Sequence, residues 1–70
     1  MNITRLRELR EQKQLKQIDI AKLLNITQQQ YSEYELGTRI IPLKKLILLA
    51  DYYNVRIDYF LSRKNKKGLY

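Results

Sequence analysis

The chain has no cysteine, histidine or tryptophan, only two glycines and one proline, and 7 acids (Asp and Glu) against 14 bases (Lys and Arg). Without cysteine there are neither disulfides nor thiolate zinc sites, and without histidine the usual general base of neutral-pH chemistry is missing. Absence of cysteine fits a reducing compartment. Few glycines and prolines leave little of the turn chemistry that strand-rich folds need. The longest apolar run, residues 46–50, is far too short to cross a bilayer. Charge sets in soon after Met1, with Arg5, Arg7, Glu8, Arg10 and Glu11, which is unlike a secretory leader. A soluble, cytoplasmic protein is expected. Asp51 and Asp58 fall on solvent-facing helical positions, so no acid–base or metal constellation assembles, and neither enzyme activity, metal nor cofactor is expected.

What is present is an excess of positive charge, +7 on 70 residues. On so small a domain this points to a polyanionic partner, with nucleic acid ahead of a membrane surface. Seventy residues make one domain, near the lower limit for a core without staples. Apolar residues recur at helical spacing, so an all-α domain is expected over residues 1–62, followed by a basic, mobile tail over 63–70. The periodicity predicts helices over residues 3–13, 17–24, 28–36, 43–53 and 57–62. Asn2 is a possible cap for the first, with Ile3, Leu6, Arg7 and Arg10 on one stripe and Leu9 beside it. Expected inward residues are Leu15; Ile20, Ala21, Leu23 and Leu24; Ile26; Leu46, Ile47, Leu49, Ala50 and Tyr53; and Val55. Ile57, Phe60 and Leu61 are available to the core or to a partner.

The most informative stretch is residues 25–37. Asn25 is suited to a left-handed residue ending one helix, Ile26 to a core plug, Thr27 to the N-cap of the next helix, and Gly37 to its stop. Between Thr27 and Gly37, Tyr31, Tyr34 and Glu35 share one side at i, i+3, i+4 spacing. Gln28, Gln29, Gln30, Ser32 and Glu33 are left on the other, a face of amides and hydroxyls without a large apolar residue. Side-chain amides pair with base edges in two places at once, and Gln with adenine is a preferred major-groove pairing. Two helices separated by Asn25-Ile26-Thr27 have the length and chemistry of a helix-turn-helix.

Taken together, several segments resemble the helix-turn-helix domains of the Cro/repressor type. They are Leu6-Arg7-Glu8-Leu9-Arg10, Gln17 with Ile20-Ala21-Lys22-Leu23-Leu24, Ile26-Thr27, Tyr34-Glu35-Leu36-Gly37 and Pro42-Leu43, followed by residues 46–55 and 57–61. The resemblance implies a five-helix bundle that binds double-stranded operator DNA as a homodimer, its third helix in the major groove. It implies base contacts by Gln28 and Gln29, with Gln30 and Glu33 in supporting places; by its chemistry Glu33 either accepts from a cytosine amino group or stays a solvated acid at the groove edge. It implies phosphate contacts by Gln17, Lys13, Lys16, Thr27, Ser32, Arg39, Lys44 and Lys45. Arg10 and Glu35 match a structural ion pair. A subunit interface is expected at Ile57, Tyr59 and Phe60, with Leu69 and Tyr70 as further candidates.

The chain departs from that pattern at Lys16 and Arg56, which stand where Ser or Thr usually caps a helix, each loss costing about 1 kcal/mol. Leu48 and Ile40 stand where polar residues are common. Those two apolar side chains support a rival reading, an antitoxin-like module whose main role is to cover a partner protein. A transcriptional repressor is the preferred expectation.

Overall fold

The computed structural model describes residues 4–61, which form five helices and no strand. They are α1 (Thr4–Gln12), α2 (Gln17–Leu24), α3 (Gln28–Leu36), α4 (Leu43–Tyr53) and α5 (Ile57–Leu61). The expected bounds of α2, α3 and α4 agree to the residue, and α1 is shorter at its C-terminal end because the chain turns at Lys13 and Gln14. The expectations for Asn2, Ile3, the Leu61 side chain, Ser62 and the tail with Leu69 and Tyr70 lie outside the described residues.

Four of the helices stop in the same way. Gln14, Asn25, Gly37 and Asn54 each take a left-handed backbone, with φ of 58°, 60°, 83° and 59°. The amide of the following residue then reaches back to the last turn: Leu15 N–H to Arg10 O (3.1 Å), Ile26 to Ala21 (2.9 Å), Thr38 to Glu33 (3.1 Å) and Val55 to Ala50 (2.9 Å). This pattern satisfies the free carbonyls of a helix end and turns the next side chain inward. Leu15, Ile26 and Val55 accordingly pack against the core.

That core consists of Leu6, Leu9, Ile20, Ala21, Leu24, Tyr31, Tyr34, Ile41, Leu46, Leu49, Ala50, Tyr53 and Phe60. Ala21 is fully buried at α2, where a small side chain permits close approach of a neighbouring helix. Two expectations are corrected. Leu23 and Ile47 were placed in the core, yet they are 39% and 45% exposed. Each lies on the flank of its helix, outside the stripe formed by Ile20, Ala21 and Leu24 or by Leu46, Leu49, Ala50 and Tyr53. In the loop before α4, Ile41 enters the core while its neighbour Ile40 points out.

Caps follow the side-chain inventory. Thr27 Oγ1 accepts from Gln30 N–H at 3.1 Å, so α3 starts as expected. Lys16 has no oxygen to offer α2, but Asp19 Oδ2 accepts from Lys16 N–H at 2.8 Å, keeping half of a capping box. At α5, Arg56 instead sits 3.4 Å from Asp58 in an exposed ion pair. α5 is held to α1 by Arg5, a buried cation whose Nη1 donates to Tyr59 O at 2.9 Å and whose guanidinium stacks 4.3 Å from the Tyr59 ring centre.

Tyr53 introduces one unfavourable contact. Its hydroxyl is buried and finds no hydrogen-bond partner among the described residues. Burial, followed by the negative charge of Glu35, pushes it up to about 12. A tyrosine raised in the folded state contributes stability that is complete below its ordinary value of 10.0 and is lost as pH rises through about 12. Removing the orphan hydroxyl should therefore be harmless or helpful. Tyr53→Phe is expected to match wild type or gain up to about 1 kcal/mol at neutral pH, with a shallower alkaline loss in denaturant melts. A loss well above 1 kcal/mol would show that the hydroxyl has a partner.

Candidate nucleic-acid interface

α3 is anchored by its inner face. Tyr31 and Tyr34 are fully buried, their rings edge to face at 6.4 Å. That anchoring leaves Gln28 and Gln29 exposed in the first turn, with Gln30, Ser32 and Glu33 half-buried beside them. The polar face read from the sequence is thus one continuous surface of α3.

Behind it, Glu35 holds three helices together. Its carboxylate accepts from Arg10 Nε (2.7 Å) and Nη2 (3.1 Å) of α1, from Gln17 Nε2 (3.1 Å) of α2 and from the Tyr31 hydroxyl (2.6 Å) within α3. The remaining Arg10 donor, Nη1, reaches Leu15 O at 2.9 Å in the α1–α2 loop. The Arg10 and Glu35 side chains are 12% and 5% exposed, so the pair is shielded from water. Burial opposes the Glu35 charge, but the hydrogen bonds from Arg10, Tyr31 and Gln17 outweigh it and hold the carboxyl below its ordinary range. The same carboxylate raises Arg10, and burial with that neighbour keeps the Tyr31 hydroxyl protonated far above its usual range.

Gln17, expected at a phosphate, donates one amide hydrogen to Glu35 Oε1 and is half-buried. Lys45, expected at a phosphate, donates to Leu24 O at 3.3 Å and so binds a free carbonyl at the end of α2. Lys13, Lys16 and Lys44 are exposed. Thr27 is exposed and its hydroxyl serves the cap. Arg39 donates through Nε to Glu33 Oε1 at 2.7 Å, a pairing that joins two expected site residues and that the sequence reading missed. This contact raises the Arg39 guanidinium further.

Among the described residues, each ion pair uses an arginine: Arg7 with Glu11, Arg10 with Glu35, Arg39 with Glu33 and Arg56 with Asp58. The described lysines are left without carboxylate partners. Phe60, placed at a subunit interface in the sequence reading, has no exposed surface and belongs to the core. Ile57 and Tyr59 are half-buried, and Tyr59 is covered by Arg5.

No group of three or more acids among the described residues is arranged to hold a metal ion. No helix there is long and apolar enough to cross a membrane. Arg7, Arg10, Gln17, Glu35 and Leu36 line a shallow cleft of about 220 Å³, below the usual size of a small-molecule pocket.

Comparison with known proteins agrees with this arrangement. Residues 6–60 match the model of the helix-turn-helix family. Among curated proteins of Bacillus subtilis (strain 168), the HTH-type transcriptional regulator AnsR is 39% identical over 67 residues, covering 96% of this chain and 58% of its own. The uncharacterized HTH-type transcriptional regulators YobD and YqaE are 38% and 35% identical, covering 89% and 93% of this chain and 55% and 56% of theirs. The chain therefore spans little more than half the length of these relatives. No solved structure matches significantly.

The Glu35 network carries the prediction of this section. Arg10→Ala leaves a shielded carboxylate without its main partner and is expected to cost about 3 kcal/mol in denaturant unfolding. Because the folded state lowers Glu35, its contribution is complete above the ordinary glutamate value of 4.5 and is lost as pH falls below it. Glu35→Gln should flatten that acid limb; an unchanged limb, or a wild-type melt for Arg10→Ala, would contradict the assignment.

Proposed function

The chain belongs to the helix-turn-helix family, and on that premise we propose that it is a sequence-specific double-stranded DNA-binding transcriptional regulator. It acts in the cytoplasm as a repressor, occupying a palindromic operator as a homodimer. The observation that carries this reading is the pair Gln28 and Gln29, exposed side by side in the first turn of a helix whose other face is locked into the core. Their amides reach base edges and select adenine by paired donor and acceptor contacts. Gln30 and Ser32 extend the surface, and Thr27 meets a phosphate at its edge.

The charge distribution fits the same role. Lys13 and Lys16, with no carboxylate competing for them, supply phosphate contacts that set register and affinity but carry no sequence information. Glu33 is the exception, an acid on a surface that approaches phosphates. Its ion pair with Arg39 neutralises much of that repulsion. The free carboxylate oxygen accepts from a cytosine amino group, which adds discrimination rather than affinity.

Selection of bound duplexes from a random DNA pool, repeated with Gln28→Ala and Gln29→Ala, tests the reading. Each variant is expected to relax the preference at one base pair by about 1–3 kcal/mol and leave the others in place. No preference among duplexes, or unchanged preferences in both variants, would overturn it. Glu33→Gln should raise affinity only slightly, since Arg39 already offsets the charge, while blurring one position. With about four phosphates neutralised per subunit, binding by a dimer is expected to fall about 10³-fold or more between 50 and 200 mM salt. A shallow salt dependence would exclude this backbone role.

A further inference from the structure

α4 is apolar on both sides. Its inner stripe, Leu46, Leu49, Ala50 and Tyr53, is buried. At 3.6 residues per turn the opposite side carries Lys44, Ile47, Leu48, Asp51 and Tyr52. The three apolar residues of that outer face, Ile47, Leu48 and Tyr52, are between 45% and 49% exposed. A surface helix of a small domain normally presents polar residues there, and a contiguous exposed apolar face marks an interaction site.

The charges on this face say what covers it. We propose that the outer face of α4 docks on the same face of a second copy of this chain, the two helices antiparallel about a two-fold axis. An axis midway between Ile47 and Leu48 sets Ile47 opposite the partner's Leu48 and Lys44 opposite the partner's Asp51. Every match is then apolar on apolar or opposite in charge, and each occurs twice, as an isologous interface requires. A parallel arrangement would set lysine on lysine and aspartate on aspartate. Lys44 and Asp51 are seven residues apart, roughly 10 Å along the helix, too far to pair within it. Neither has an ion-pair partner among the described residues, although four other acids do. The site first expected for pairing is occupied from within, with Phe60 in the core and Tyr59 under Arg5.

This inference rests on the homodimer reading above and assigns the surface that makes the dimer. Sedimentation equilibrium of the full chain without DNA tests it, with folding of each variant checked by thermal melting. Lys44→Asp and Asp51→Lys are each expected to weaken self-association about tenfold, since each turns two attractions into repulsions. The double exchange, Lys44→Asp with Asp51→Lys, should restore pairing to within about threefold of wild type, a rescue that only contact between the two positions across copies produces. Leu48→Glu should leave a folded monomer. Dimers insensitive to all of these changes would move the interface elsewhere and leave the homodimer reading intact, as would a free monomer that occupies paired half-sites cooperatively. Monomers both free and on DNA would overturn both. Pairing of α4 with a different protein, the chain itself remaining monomeric, also overturns the assignment.

Discussion

A single carboxylate sets the geometry of the polar face of α3. Glu35 accepts four hydrogen bonds from side chains of α1, α2 and α3. It thereby fixes the end of α3 relative to the two helices that precede it. An ionised carboxylate taken out of water is unfavourable unless its lone pairs are filled by charged or polar donors, and here they are. The direction of its pKa records that balance: hydrogen bonding wins over burial. Hydrophobic packing of Tyr31 and Tyr34 decides which side of α3 faces inward, but packing alone is tolerant of small rotations. Directional bonds to Glu35 are not, and they settle the angle at which the glutamines leave the surface.

Chain reversals are the second ordering device. Asn25, Gly37 and Asn54 were legible as helix stops because those residue types enter the left-handed region at little cost. Gln14 does the same without announcing it, since nothing in a glutamine marks positive φ, and the expected first helix therefore ran on to residue 13. Helix periodicity located α2, α3 and α4 to the residue. It overestimated the core at Leu23 and Ile47, because a helix with apolar residues on more than one side offers no unique inward stripe. It also missed Arg5 and Ile41, a cation buried by an aromatic on a distant helix and one of two identical neighbours in a loop. Both depend on contacts that have no period.

The same division holds at the site. The polar face of α3 and the Arg10–Glu35 pair could be read from spacing and resemblance. The Arg39–Glu33 pair, the Lys45 bond to Leu24 O and the Gln17 bond to Glu35 could not, because each joins segments through a loop or across helices. These contacts separate the basic residues into two kinds. Four arginines, Arg7, Arg10, Arg39 and Arg56, are spent on the protein's own acids, which suits a planar group with several fixed donors. The exposed lysines remain as solvated point charges.

Gln17 stands at the boundary between these two systems. Its side-chain amide completes the coordination of Glu35, yet the residue is only half-buried at the start of α2. An amide nitrogen carries two hydrogens, and the bond to Glu35 uses one of them. Gln17 therefore completes the three-helix junction with one donor still unspent at the half-buried start of α2.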